Sequence, residues 1–390
     1  MSHRLRRVAL IYDAKAPYDL KVMSGIARYV HEGAKFNIYI EENTLKSQKL
    51  PDLRSWHGDG ILADFDDPGV AMEVSHARLP VVGFGGGFGW YSRRSRIPYF
   101  FSNQNAVAQL AADHLLDRGF RHFAYCGFFP NPINLWSEER YRAFAKRLKT
   151  RGFYCHMYRG GHKTMRQWNS ILASLGAWLR SLPKPIGLMA ANDKRARTVL
   201  EACHTCDLRV PEEVSVIGVD NDELLCELST PQLSSVEQDA KRIGYEAIAL
   251  LDRMMSGEKP RQRHFLIDPL GVVTRTSTDI MAVEDRLVAK TMAFIQSGAT
   301  DGVRVRDVVV TMATSRSGLE TRFKASMGYT IHAAIRKAQL ERARRMITET
   351  NLAMKEIASG TGFKSVQHMT TLFGKAYGRT PAKYRKSIIK

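Results

Sequence analysis

The chain of 390 residues contains no window near the ~20 uninterrupted apolar residues that a membrane-crossing helix needs. Its N-terminus, "MSHRLRRVALIYDA", sets basic residues before an apolar run, as a signal peptide would, but that run is only a few residues long and soon meets Asp13. A first β-strand and a cytoplasmic protein are expected instead. Cysteine is scarce and unpaired in pattern: Cys126, Cys155, Cys203, Cys206 and Cys226 form an odd, scattered set, which argues against a disulfide framework and for a reducing compartment. Only "CHTC" has metal-ligand spacing, and a structural zinc site wants a second pair that the chain lacks, so no metal site is expected. Catalytic signatures are missing too. The α/β part has no HExxH, GxSxG, P-loop or carboxylate pair, and "GFGGGFGW" fits neither GxGxxG nor GxxxxGK[ST] and reads as a strand-ending turn. No catalytic residue and no cofactor are expected.

Acidic residues are outnumbered 39 to 58 by Lys and Arg, giving a net charge of +19. The placement of that charge is more informative than its size. From Glu284 onward there are 20 Lys and Arg against 8 Asp and Glu, a balance of +12, which leaves +7 for the 283 residues before. The last quarter of the chain is where a polyanion would bind.

At this length one ordinary core is not enough, and two or three domains are expected. In the first part, short β-branched or aromatic runs ("RRVALIYDA", "FNIYIEE", "GDGILADF", "LPVVGFGG", "RHFAYCGF", "PIGLMAAND", "VSVIGVDND") alternate with helical-period stretches such as "YDLKVMSGIARYVHEG" and "NAVAQLAADHLLDRGF". This is a βαβ series, and ten or so strands over that length imply two doubly wound parallel sheets, a two-lobed α/β domain over residues 1–278. "PLGVVTRTSTDIMAVED" (Pro269 to Asp285) loses the pattern and reads as a linker. From 279 to 390 the strands stop and an all-α domain is expected.

That domain repeats a plan. "VRVRDVVVTMATSRSGLETRFKASMG" gives a short helix with Val305, Val308, Val309 and Met312 on its apolar face, a tight turn, and a second helix from Ser315 burying Leu319 and Phe323. "MKEIASGTGFKSVQHMTTLFGKAYG" does the same with Ile357 and Ala358, a turn at Gly360 and Gly362, a Ser365 cap, and Met369 and Phe373 inward. Helix, tight turn, helix is the geometry that lets a second helix enter a DNA major groove. Between the units runs a helix, "TIHAAIRKAQLERARRMITET", buried at Ile331, Ile335, Leu340, Ala343 and Ile347, with Arg336, Lys337, Arg342, Arg344 and Arg345 on its other faces. At 1.5 Å per residue it spans roughly 30 Å, close to one turn of B-DNA.

"LETRFKASMGYT", "LERARRMITETNLAMKEIASGTGF" and "SVQHMTTLFGKAYGRTPAKYR" resemble the DNA-binding domain of the AraC family over about 100 residues, in the spacing of Phe-Lys, of "IA..GF" and of "G.TP..YR". The chain departs from that family at His368 and Met369, where two aromatics are usual, at Thr371 for Arg, and at Gly374 for Lys. Positions at the start of each second helix and one turn later are expected to face base edges. These are Arg316, Ser317, Glu320 and Thr321 in the first unit and Val366, Gln367, His368 and Thr371 in the second. Their chemistry suits: Arg to guanine, Glu to cytosine N4, Gln to adenine, Val to a thymine methyl. Lys324, Arg345, Lys364, Lys375 and Arg379 are assigned to phosphates.

"NQNAVAQLAADHLLDRGFRHFAYCG", "MAANDKRARTVLEACHTCDLRVPEEVSVIGVDND" and "PQLSSVEQDAKRIGYEAIALLDRMM" resemble the LacI-type and periplasmic sugar-binding fold over residues 5–278, without the N-terminal DNA-binding headpiece of those repressors. The resemblance implies a sugar in the cleft between the lobes, held by Arg140, Asn192, Asp193, Asp220 and Gln238, to which Asp13, Tyr18, Asp64 and Asp66 are added as strand-end residues. A carboxylate can accept from vicinal hydroxyls, an Arg fork can donate to them, and Trp136 or Phe88 can cover an apolar ring face. Asp220 and Asn192 serve equally well as helix caps or turn residues. The combination of such a sensor with an AraC-type reader implies a sugar-responsive transcription regulator whose effector is a pentose, D-xylose. The expected partners are double-stranded operator DNA, RNA polymerase for activation, and a second copy of the chain in a homodimer, with no membrane. A repressor, or a sugar-processing enzyme with an incidental basic tail, are the alternatives.

Overall fold

The computed structural model describes residues 5–41, 56–85, 97–161, 167–283, 285–298 and 302–388. The chain divides into two units: Met1–His114 with Arg121–Asp279, and Leu115–Phe120 with Ile280–Lys390.

The first unit holds two six-stranded sheets. One has the order β11-β5-β4-β3-β1-β2, built from β1 (Arg6–Ile11), β2 (Phe36–Glu41), β3 (Gly60–Asp64), β4 (Val81–Gly85), β5 (Tyr99–Ser102) and β11 (His264–Ile267), and its strands pair in parallel. The other has the order β12-β10-β9-β8-β6-β7, from β6 (His122–Cys126), β7 (Cys155–Tyr158), β8 (Ile186–Ala190), β9 (Val214–Val219), β10 (Ser234–Glu237) and β12 (Gly271–Val273). Here β12 runs antiparallel against β10. The central strands β3, β4, β8 and β9 are buried along their whole length, as both faces of a parallel sheet must be when helices cover them. Alternation then sorts the side chains: Val8, Leu10, Leu62 and Val82 pack to one face of the first sheet, and Ala9, Ile11, Ile61, Ala63 and Val81 to the other. The first face is covered by α1 (Pro17–His31) and α8 (Ala240–Met255), the second by α2 (Pro68–Ser75). On the second sheet, α5 (Trp168–Ser181) and α6 (Asp193–Thr205) close one core through Leu175, Leu179, Val199 and Cys203. The other helices of this unit are α3 (Gln104–Asp117), α4 (Leu135–Lys149) and α7 (Glu223–Glu227).

The chain crosses between the lobes more than once. After β5 the chain builds the second sheet through β10, returns with α8 and β11 to the first, and comes back with β12. Both lobes are therefore tied by several crossings, and the cleft collects strand ends from both.

The stretch expected to be a linker is partly folded. Gly271–Val273 is strand β12, and Ser277 and Thr278 are fully buried. Ser277 accepts from Ser234 N (2.9 Å) and donates to Val216 O (2.6 Å), while Thr278 donates to the Ser234 hydroxyl (2.7 Å). Hydroxyl side chains that look like linker composition are here buried because every one is hydrogen-bonded.

The second unit is helical from Arg286 on: α9 (Arg286–Ser297), α10 (Val305–Thr311), α11 (Arg316–Met327), α12 (Ile331–Glu349), α13 (Met354–Ser359), α14 (Val366–Tyr377) and α15 (Pro381–Ile388). Both expected helix-turn-helix units are present, as α10–α11 and α13–α14. Ser315 caps α11 by accepting from Gly318 N (3.2 Å), and Ser365 caps α14 by accepting from His368 N (3.1 Å). Leu319, Phe323, Met369 and Phe373 are completely buried. In the second turn Gly362 has φ 71°, and a Cβ there would lie 2.5 Å from Gly302 Cα.

α1 and α8 approach until backbone meets backbone. A Cβ on Gly25 would sit 1.8 Å from Lys241 O, and one on Gly244 would sit 1.9 Å from Val22 O. Gly244→Ala is therefore expected to force the helices apart and destabilise the sensor by about 1–3 kcal/mol, measured by urea unfolding followed by circular dichroism. An unchanged midpoint would show that this contact is not tight in solution.

Candidate ligand cleft and nucleic-acid interface

The carboxyl ends of six strands supply the cleft: β1 leads to Asp13, β3 ends at Asp64, β5 leads to Gln104, β8 to Asn192, β9 to Asp220 and β10 to Gln238. In doubly wound sheets the strand carboxyl ends are where ligands bind. They enclose a cavity of about 660 Å³. Eight of the nine expected ligand residues line it: Asp13, Tyr18, Asp64, Asp66, Arg140, Asn192, Asp220 and Gln238. Trp136 lines it as well, while Phe88 lies outside the described residues.

Arg140, on α4, is 2% exposed. Its Nε donates to Gln104 Oε1 (2.8 Å), an Nη donates to Ala191 O, and its guanidinium stands 4.8 Å from the Trp136 ring centroid. A buried cation held this way keeps N–H groups in fixed directions for an incoming oxygen. Asp220 faces it from the end of β9. Its backbone is in the left-handed half of φ space at 106°, followed by Asn221 at 47°, a strained turn for non-glycine residues. Gln238 Nε2 donates to its Oδ1 (2.6 Å), leaving the second carboxylate oxygen for a ligand. Lys21, on α1 of the other lobe, donates to the carbonyls of both Asp220 and Asn221 (2.8 Å each) and so braces the turn. Lys194 Nζ makes a second link between lobes, to Lys15 O (2.7 Å).

The opposite wall is acidic. Asp19, 2% exposed, accepts from Asp13 N (2.8 Å), and Asp64 accepts from Asp66 N (2.8 Å). Burial pushes both the Asp19 and Asp64 carboxyls well above the usual range, reinforced by the negative charges of their neighbours. Tyr18 O–H meets Ser102 Oγ at 3.1 Å. Such a wall presents closely spaced carboxyl oxygens to a neutral polyhydroxylated molecule.

Asp193 is placed elsewhere. Its carboxylate turns into the second lobe, where it accepts from Ser235 Oγ (2.6 Å) and from Asp222 N (2.8 Å), with the Cys226 thiol at 3.6 Å. It ties α6 to the β9 and β10 ends rather than lining the cavity. Asn192 does both jobs weighed for it, lining the cavity and capping α6 by accepting from Arg195 N (3.0 Å). Gln104, Lys15, Asp19 and Lys194, which no sequence motif singles out, line the cavity too. Of these, Gln104 carries a usable sequence signal, being the second residue after strand β5. Cys203 and Cys206 sit at the end of α6, and among the described residues no group of three or more His, Cys, Asp or Glu is placed to hold a metal ion.

In the helical unit the assigned DNA-facing residues fall on open surface. Arg316, Ser317 and Thr321 on α11, Gln367, His368 and Thr371 on α14, and Lys324, Arg345, Lys364 and Lys375 are exposed; Glu320, Val366 and Arg379 are half-buried. Arg316 Nε donates to Glu320 Oε1 (2.9 Å), so these two base-reading candidates satisfy each other in the free protein. Thr371 Oγ1 donates to Gln367 O (3.0 Å), and the His368 ring stands edge-on to Phe363 at 5.8 Å.

One basic residue differs from expectation. Arg344 does not line a solvent face of α12: it is 4% exposed and donates to Glu341 (2.6 Å), which also accepts from the Tyr377 hydroxyl (3.3 Å). The Arg344–Glu341 pair lies within α12, and the Tyr377 hydroxyl on Glu341 joins the end of the second reading helix to it. Asp285 caps α9 and receives a two-pronged pair from Arg322 of α11 (2.8 and 2.9 Å).

Burial pushes the Asp193 carboxyl up to about 8, with the nearby Asp220 charge adding to it. A raised folded-state value means stability is fully present below the unfolded value near 4 and is lost as pH rises through 8. Asp193→Asn is therefore expected to remove part of the fall in melting temperature between pH 5 and 9; parallel pH profiles for the two proteins would show that Asp193 does not titrate in this way. Arg344→Met should leave the first reading unit intact but weaken contacts made by the second. Footprinting on a two-part operator checks this, and uniform loss over both halves would contradict it.

The Periplasmic binding protein-like domain family matches residues 112–278, the XylR N-terminal domain family residues 7–105, and the Helix-turn-helix domain family residues 309–387. Over 386 residues the chain is 34% identical to the Xylose operon regulatory protein of Haemophilus influenzae, covering 99% of each. It is also 34% identical to the Xylose operon regulatory protein of Escherichia coli K12, covering 99% of this chain and 98% of that one. A solved structure, that of the xylose-binding transcription activator xylR, is similar with a TM-score of 0.66 at 33% identity over the whole of both chains. These relatives are regulators of transcription and not enzymes, and with them the chain belongs to the family of xylose operon regulatory proteins.

Proposed function

We propose that this chain is a D-xylose-responsive transcription activator acting as a homodimer on operator DNA in the cytoplasm. The observation that carries the reading is the pairing, in one chain, of a polar cavity of about 660 Å³ at the carboxyl ends of two parallel sheets with two capped helix-turn-helix units. Arg140, Asp220, Gln238, Asn192 and the acidic wall of Asp13, Asp64 and Asp66 offer a neutral sugar donors and acceptors at fixed positions, and a pentose is small enough for the volume. The relatives named for xylose support this sugar. The domain boundary after residue 278, the roles of the individual DNA-facing residues, dimerisation and the approach to RNA polymerase are parts of the same proposal.

The sugar acts by its differential affinity for two states. Closing the lobes around it brings the Asp13, Asp64 and Asp66 wall of one lobe toward Arg140 and Asp220 of the other, whose turn Lys21 braces across the cleft. A coupling of about 1–3 kcal/mol, a 5- to 150-fold change in operator affinity, is the usual range for such a device.

The test is fluorescence anisotropy of the full chain on DNA upstream of its neighbouring pentose genes, with D-xylose, other pentoses or none. D-xylose should raise affinity within that range, and Asp220→Asn should abolish the response while keeping sugar-free binding. A sugar-independent affinity in the unaltered protein would end the sensor reading. Arg316→Ala or Gln367→Ala should relax preference at one base, at about 1–3 kcal/mol. Lys375→Ala should weaken all sequences alike and reduce the salt slope by about one. Equal effects of these variants would refute the division into base and phosphate contacts.

A further inference from the structure

We propose that the sensor's second lobe carries an additional site for a small phosphate monoester, of sugar-phosphate size, in a cationic cavity that adjoins the sugar cleft. The cavity measures about 1280 Å³ and opens beside α6, bounded by α5, α7, the loop after β6 and residues 159–161. Its described wall carries Arg159, Lys194, Arg195 and Arg197 against the carboxylate of Glu201. Arg159 is already matched by Glu138 through a two-pronged pair (2.6 and 2.9 Å). Lys194 holds a backbone carbonyl.

Arg195 is the decisive residue. It is 9% exposed, and its guanidinium lies 5.5 Å from the Phe128 ring centroid and 5.6 Å from that of Tyr158. It reaches the Cys126 thiol, but its Nε has no hydrogen-bond partner and among the described residues no carboxylate pairs with it. A buried guanidinium without a counter-charge is costly, and such groups are paired in stable proteins. Contact with two rings holds the guanidinium at the cavity wall, and a planar fork of this kind suits the oxygens of a phosphate. The volume is far larger than a bare oxyanion needs, which calls for an organic body beside the phosphate.

The two cavities select opposite charges. The cleft is lined by Asp13, Asp19, Asp64, Asp66, Asp67 and Asp220 against Lys15, Arg140 and Lys194, so a phosphate ester is repelled there and a neutral sugar accepted. Lys194 belongs to both walls and joins the sites physically.

Isothermal titration of the full chain with ribose 5-phosphate, D-ribose, inorganic phosphate and D-xylose tests the assignment. Ribose 5-phosphate should bind, and more tightly than either ribose or inorganic phosphate. Arg195→Gln should weaken it by about tenfold or more and Arg197→Gln severalfold, both keeping D-xylose affinity within about twofold, whereas Asp220→Asn should lose D-xylose and keep the ester. The exposed Arg197 keeps the test open should the Arg195 variant fold poorly. The proposal falls if D-xylose binds but the ester does not, if inorganic phosphate binds as well as the ester, or if Asp220→Asn abolishes ester binding while both arginine variants retain it. It falls equally if sedimentation shows that Arg195→Gln and Arg197→Gln alter only self-association, which would make this wall, with the exposed Leu224 and Leu228 at its edge, a contact between two copies.

Discussion

A guanidinium buried to 2% exposure, that of Arg140, organises the sensor. A charge at that depth has to be held by hydrogen bonds, and two of its N–H groups go to Gln104 at the start of α3 and to the carbonyl of Ala191 after β8, with Trp136 against its face. One side chain of α4 thereby fixes the positions of three separate chain segments at the mouth of the cleft. Opposite it, Asp220 occupies a backbone conformation that few non-glycine residues adopt, and Lys21 reaches over from the other lobe to hold the carbonyls that this conformation turns outward. Strain at a strand end persists because the surroundings over-determine it, and here the surroundings include both lobes. The residue proposed for sugar contact is therefore also the one at the lobe contact, as a ligand-driven closure would require.

The reading unit has a smaller counterpart to this arrangement. Its two helix-turn-helix units share caps and apolar positions, but the second is tied to α12 by the Tyr377 hydroxyl, which donates to the Glu341 carboxylate that the buried Arg344 of the same helix also holds. The first is instead steadied at the surface by Arg322 on Asp285. The Arg344 side chain is 4% exposed and that of Arg322 55%, so salt screens the tie of the second unit less than that of the first.

Much of this is legible in the amino-acid sequence. Buried runs such as "GILADF" declare parallel strands because a sheet covered on both faces has no polar face to show, and Ser315 and Ser365 announce helix starts because a cap needs a short hydroxyl side chain at that one position. The cleft is legible for the same reason: strand ends are visible in sequence, and eight of the residues expected there do meet in one cavity. Asp193 misleads because its neighbour Asn192 faces the cavity, and successive residues at a helix start point in different directions; its carboxylate goes to Ser235 and the Asp222 backbone. Arg344 misleads because a helical wheel cannot say which polar face another helix will cover.

Local chemistry thus determined the elements, their order, the repeat in the second unit and the ring of polar strand ends, since each of these depends on residues near one another in the chain. Tertiary structure alone decided which charges are buried, and with what partners. Gln104 meets Arg140 across 36 residues, Asp193 meets Ser235 across 42, and Arg195 is left between two aromatic rings without a carboxylate among the described residues. Whether a polar group is solvated or buried is set by what packs over it, and that is a property of the assembled lobes rather than of any stretch of sequence.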